Sequence, residues 1–180
     1  MKRFLVFLGL ILALTVLMFA TWLVSALTLP QGVFRPFFAR LFSERVGEFT
    51  FGRVLWANLL PFFGLQFMNL FRRGKHAGGL YILPIFWILY GLLLGTNSFV
   101  FAGQPVAFSI SILWERSGFT ELLAYATVYE ATKGWWLWEE FGFWGVRRLD
   151  NKKWEPTIED WIYWIAGLLL LVFAVIREVH

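Results

Sequence analysis

The sequence predicts an all-α polytopic membrane bundle of about five transmembrane helices plus one interfacial amphipathic helix. Three observations predict it. Of the 180 residues, 59% are hydrophobic and 16% charged, with a mean hydropathy of +0.65, whereas a soluble domain covers its core with roughly a quarter charged residues. Several long apolar runs approach the roughly 20 residues that a hydrocarbon core about 30 Å thick demands. Lys and Arg gather in the short connections between those runs, as orientation in a bilayer requires. The absence of Cys excludes disulfides, thiolate metal sites and Cys nucleophiles, and two His, His76 and His180, leave little for metal or haem ligation. No metal site and no cofactor are expected. The net charge of +4 and pI near 9.6 fit cationic loops, so no nucleic-acid role is read from them.

The elements follow in order. Residues 4–29 carry no charge and follow Lys2 and Arg3. A cleaved signal peptide has an apolar region of about 7–15 residues, so this longer run reads as a signal anchor. Between it and the next span, Phe34, Phe37, Phe38, Leu41 and Phe42 alternate with Arg35, Arg40 and Arg45. Apolar residues at spacings of three and four describe a helix in the headgroup plane over about residues 33–48. The second span covers about residues 54–71 and the third about 79–100. The stretch 104–114 is apolar but too short to cross, and reads as re-entrant, interfacial or an extension of a neighbouring helix. The fourth span, about 118–138, is the least apolar and carries Glu121, Glu130 and Lys133. Residues 139–159 read as a polar, Trp-rich surface connection. The fifth span, about 160–176, follows Pro156-Thr157-Ile158-Glu159-Asp160, a capping-box analogue. The chain forms one membrane domain over residues 1–180. With the N-terminus in the cytoplasm, ten Lys and Arg fall inside and six outside, which predicts the inner cell membrane with N-in, C-out topology.

Polar groups within lipid are costly, so each calls for both a functional and a packing reading. Glu121 sits in the first turn of the fourth span if Ser117 is its N-cap; it either answers the helix dipole or serves a proton, cation or partner helix. Glu130 lies nine residues further on, mid-span. The two carboxylates therefore fall about 180° apart and roughly 13 Å along the axis, which argues against a catalytic pair on one helix. Lys133, three residues from Glu130, offers it an ion pair. In the second span Asn58 and Asn69 lie eleven residues apart, hence within about 20° on the helix, and form one polar seam against a neighbour. Pro61 withdraws a donor from the Ala57 carbonyl and predicts a kink. Gly91 and Gly95 make a GxxxG packing face before Asn97, and Thr127 with Ala131 suggests the fourth span as its partner. The basic loop around His76 sets orientation rather than lipid choice. The chain carries no nucleotide-binding, nucleophile-elbow or zinc-protease motif, so no enzyme is expected.

The order of these features is similar to that of a known family over about residues 50–140. Asn58, then Gly91, Gly95 and Asn97, then Gly118-Phe119-Thr120-Glu121-Leu122-Leu123-Ala124 opening a helix, resemble the stage II sporulation protein M family of small multi-pass membrane proteins. In that family a His usually precedes the Gly, whereas Ser117 precedes Gly118 here. The resemblance implies a helical membrane subunit that works with partner proteins, in spore formers within machinery that remodels the cell wall. The expectation is therefore a non-enzymatic structural or anchoring subunit, in contact with the lipid bilayer and with other membrane proteins as a homo- or hetero-oligomer. The alternative is a transporter or channel subunit in which Glu121, Glu130, Asn58 and Asn97 line a path.

Overall fold

The structure, a computed structural model, describes residues 1–36, 51–98, 100–101, 104–105, 118–141, 145–149 and 153–179. Among these, five helices dominate: α1 (Lys2–Thr28), α2 (Phe51–Met68), α3 (Gly79–Gly95), α4 (Gly118–Thr132) and α5 (Ile158–Val179). Two are long and apolar enough to cross a hydrocarbon core, α1 with 27 residues and α5 with 22; α3 is apolar but shorter. Five spans of that quality were expected. Arg53, Asn58 and Gln66 lower the apolarity of α2, and α4 has 15 residues, about 22 Å of helix.

Local chemistry explains each helix. In α1 the hydroxyls of Thr15, Thr21 and Thr28 donate to the carbonyls four residues back at 2.7–2.8 Å, so none is left unpaired on an apolar surface. At α3 the chain stops on Asn97, which takes φ 49°. Its N–H reaches the Leu94 carbonyl at 3.1 Å while the Ser98 N–H reaches Leu93 at 2.9 Å, the paired bonds of a Schellman ending. At α5 the Thr157 N–H donates to Asp160 Oδ2 (2.8 Å) and the Asp160 N–H to Thr157 Oγ1 (3.3 Å), the reciprocal capping read from the sequence.

Packing pairs α1 with α3 and α4 with α5 most extensively, and α2 joins the two pairs. The α1–α3 contact is close because Gly91 and Gly95 lack side chains. A Cβ on Gly91 would stand 2.5 Å from the Met18 carbonyl, and Gly95 sits directly against Ser25 and Trp22. This corrects the expectation that Gly91 and Gly95 pack on the fourth span. The first helix supplies its own small pair, Thr21-x-x-x-Ser25, and that pair meets the glycines. The α4 helix instead takes Gly167 of α5 against the Ala124 carbonyl and the Val128 amide.

The least apolar helix, α4, is also the most enclosed. Leu122 and every residue from Ala124 to Thr132 are buried, while large apolar side chains face outward on the helices around it: Leu12, Val16 and Leu27 on α1, Trp56 and Leu60 on α2, Ile85 on α3, Ile162 and Leu169 on α5. Exposed apolar surface of this kind marks a face that meets a membrane or another protein. The inversion follows from placing α4 where neighbouring helices surround its polar groups.

A small sheet caps one end, where only surface connections were expected. Strands β1 (Phe71–Arg73) and β2 (His76–Ala77) form a hairpin, and β5 (Trp138–Phe141) with β6 (Gly145–Arg148) form another; the order is β2-β1-β5-β6, with β1 and β5 parallel. A separate short ladder pairs β3 (Val100–Phe101) with β4 (Gln104–Pro105), the start of the stretch 104–114, whose remainder lies outside the described residues. Residues 37–48 of the expected interfacial helix, and Ser117, also lie outside them. The sheet changes the fourth span. It ends at Thr132, not near residue 138, because Gly134 follows and the Trp-rich segment pairs with β1 as strand β5.

Candidate functional site

Charge converges at the end of the bundle that carries the sheet. The starts of α1 and α5, the turn between α2 and α3, and the end of α4 all meet there. Glu130, 1% exposed, lies in the last turn of α4, not mid-span as expected, so its surroundings are set by a helix end. Arg3 Nε donates to Glu130 Oε1 at 2.9 Å, and Lys133 Nζ donates to its carboxylate at 2.7–2.8 Å. Arg3 also donates to the Glu130 backbone carbonyl at 2.7 Å, forms an ion pair with Asp160 at 2.7 Å, approaches Glu159 at 3.6 Å and lies over the Tyr163 ring at 5.0 Å. Two cations thus hold three carboxylates together.

The cluster answers a specific problem. Carboxylates at a helix C-terminus face the negative end of the dipole, and the last four carbonyls have no helical partner. Here the Tyr129 carbonyl accepts from Lys133 N and Asn69 Nδ2, the Glu130 carbonyl from Arg3, and the Thr132 carbonyl from Trp135 N. Asn69 completes the arrangement from the α2–α3 turn. Fully buried, it donates to Thr132 Oγ1 at 2.7 Å and accepts from the Gly79 N–H at 3.0 Å.

At the other end of α4, Asn58 Nδ2 donates to Glu121 Oε1 at 2.7 Å, and Gly118 lies against the Tyr90 ring so tightly that no side chain fits. Asn58 and Asn69 are therefore a seam against α4, and the eleven-residue step on α2 matches the eleven from Glu121 to Thr132, so α2 and α4 run parallel. Asn97 faces no polar partner on α4; its carbonyl accepts two hydrogen bonds from Arg35 at 2.9–3.0 Å. The structure thus joins Glu130 with Lys133, Asn58 with Glu121, and Asn69 with Thr132, and it separates Gly91, Gly95 and Asn97 from α4's polar groups.

Sequence reasoning missed Arg3 as a partner of Glu130, and Glu159 and Asp160 as the further partners of Arg3. The alternation of helix directions held the signal, since residues 3, 130–133 and 159–160 must share one end of an up-and-down bundle. It also missed the sheet's own ion pairs. Glu139 binds Arg72 at 2.9 Å and Arg147 at 2.8 Å, and Arg72 stacks over Trp136 at 4.2 Å. The hydrogen bond from Arg147, against a desolvation penalty and with help from the Arg72 charge, holds the Glu139 carboxyl below the usual carboxylate range. Among the described residues no cluster of His, Asp or Glu is arranged to hold a metal ion. The arrangement neutralises buried charge and ties α1, α4 and α5 together. No protein-family model matches the chain, and no curated protein or solved structure matches it.

Proposed function

We propose that the chain is a five-span integral protein of the inner cell membrane, N-terminus cytoplasmic, acting non-enzymatically as a structural or anchoring subunit for partner membrane proteins, as the resemblance to the stage II sporulation protein M family implies. The observation that carries this over a solute pathway is the internal pairing of α4: Glu130 engages Arg3 and Lys133, Glu121 engages Asn58, and Thr132 engages Asn69. A conducting path needs polar groups available to the solute, whereas these hold helices to one another. The short α4 crosses because α2, α3 and α5 enclose it. Segregated charge supports the orientation: Lys2, Arg3, Arg72, Arg73, Lys75, Lys133, Arg147, Arg148 and Lys153 share the sheet end, and Arg35, Arg53 and Arg177 the opposite end.

The first helix belongs to this bundle as a retained anchor. Its loss would strip Arg3 from the buried Glu130 and bare the Gly91 and Gly95 backbone. Peptide mapping of the protein extracted from membranes is expected to recover the first helix, Lys2–Thr28. For the function, extraction in mild detergent is expected to bring a stoichiometric membrane partner, and Glu121→Gln to weaken the bundle without creating or abolishing any flux. A proteoliposome assay in which the pure protein moves an ion or solute, and loses that activity on Glu121→Gln, would overturn the scaffold reading.

A further inference from the structure

We propose that a cavity beside the charge cluster is a headgroup site for a zwitterionic phospholipid of the ethanolamine or choline class. The cavity, about 450 Å³, lies where α4 exits the bundle and the chain approaches α5, with Trp135, Lys153, Trp154, Glu155 and Asp160 in its lining. That volume falls within the range of small-molecule sites.

The lining matches a zwitterion in three respects. Trp135 and Trp154 meet almost at right angles, 87°, with ring centroids 5.6 Å apart, and Trp161 adds a third indole 5.8 Å from Trp135. Indole faces are the preferred protein surfaces for alkylammonium groups. The carboxylates of Glu155 and Asp160 supply the counter-charge, Asp160 while also holding Arg3. For the phosphate there is the Lys153 ammonium. A lining that carries both signs suits a neutral dipole better than an anionic headgroup.

Position selects a lipid over a soluble molecule with the same headgroup. Trp-rich surfaces sit at headgroup depth. Next to Thr157, which also lines the cavity, an exposed apolar stripe begins at Ile158 and continues along α5 through Ile162, Ile165 and Leu169, spaced as one helix face. Acyl chains following that stripe would leave the headgroup at the cavity.

This assignment rests on the membrane reading above, and its test separates the two. Full-length protein in dodecyl maltoside is titrated calorimetrically with dihexanoylphosphatidylethanolamine, dihexanoylphosphatidylglycerol and free phosphoethanolamine. The ethanolamine lipid is expected to bind saturably and at least about tenfold more tightly than the other two. Trp154→Ala is expected to weaken it about tenfold through the lost cation–π face, with Trp154→Phe restoring part; Glu155→Gln, at an exposed position, gives the same loss independently of the indole. Equal binding of the glycerol lipid, equal binding of free phosphoethanolamine, no binding, or unchanged affinity in both Trp154→Ala and Glu155→Gln would each overturn the site. Resistance of the membrane-bound protein to alkaline carbonate tests embedding on its own, so a failed titration beside a carbonate-resistant protein counts against the site and not against the membrane reading.

Discussion

Replacing Arg3 by Ala removes one residue from the first turn of the chain and disturbs three helices at once. The lost contacts are the 2.9 Å bond to the Glu130 carboxylate, the 2.7 Å bond to the Glu130 carbonyl and the 2.7 Å pair with Asp160. Removing one partner of a buried ion pair costs about 3–5 kcal/mol, because the other charge stays buried. Lys133 remains 2.7 Å from Glu130, and the Arg3 side chain is 25% exposed, so the cost falls to about 2–4 kcal/mol. At about 2–4 °C per kcal/mol for a chain of this size, the unfolding midpoint drops by roughly 5–15 °C. Circular dichroism of the protein melted in a fixed detergent measures it. Arg147→Ala is the exposed control and is expected to stay within about 2 °C of the parent. The double variant Arg3→Met with Glu130→Met removes the buried carboxylate along with Arg3, leaves Asp160 and Lys133 at partly exposed positions, and is expected to melt above Arg3→Ala, since no uncompensated charge stays in the interior. The reasoning is refuted if Arg3→Ala melts within about 2 °C of the parent, or if the double variant falls as far as the single one.

Three further outcomes follow. Gly91→Leu places a side chain into the Met18 carbonyl and is expected to cost about 1–3 kcal/mol by overpacking; Gly9→Leu, with open space around it, is expected to be neutral, and thermal melts compare the two. Asn69→Ala leaves the buried Gly79 N–H without its acceptor, while the Tyr129 carbonyl keeps the Lys133 N–H, an expected loss of about 1–3 kcal/mol, read from the same melts. Glu139 has a lowered folded-state pKa. Its contribution to the sheet is therefore complete above the unfolded-state value and is lost as pH falls through the lower folded one. Carboxyl NMR is expected to place its midpoint below that of an ordinary Glu and to move it up in Arg147→Ala, whereas an unmoved midpoint contradicts the pairing.

How much of this was legible in the sequence depends on the range of the forces involved. The α5 capping box and the Glu130–Lys133 pair were readable because their partners lie three residues apart. The common facing of Asn58 and Asn69 followed from helical period. The sheet was not readable: β1 has three residues, β2 has two, and β1 finds β5 across more than sixty residues of chain, so no local pattern announces the pairing. The end of α4 was misplaced for a related reason. Apolar Trp135, Trp136 and Trp138 continue a hydrophobic run, and hydropathy does not distinguish a helix from an aromatic strand. The partner of Gly91 and Gly95 was missed because Thr21 and Ser25 are hidden within an otherwise apolar span. In the candidate site, Glu130 and Lys133 stood out as costly groups in lipid, whereas Arg3 and Asp160 looked like ordinary flanking charges until the bundle brought them together.

The central claim is that the chain crosses the bilayer five times, with the sheet and charge cluster inside. Because the protein has no Cys, a single introduced cysteine is unambiguous. Arg147→Cys, in β6 at the sheet end, and Arg177→Cys, at the far end of α5, are treated in intact cells with a membrane-impermeant maleimide and again after permeabilisation. The account predicts that Arg177→Cys is labelled in intact cells and Arg147→Cys only after permeabilisation; labelling of both from the same side, or of Arg147→Cys from outside, would contradict it.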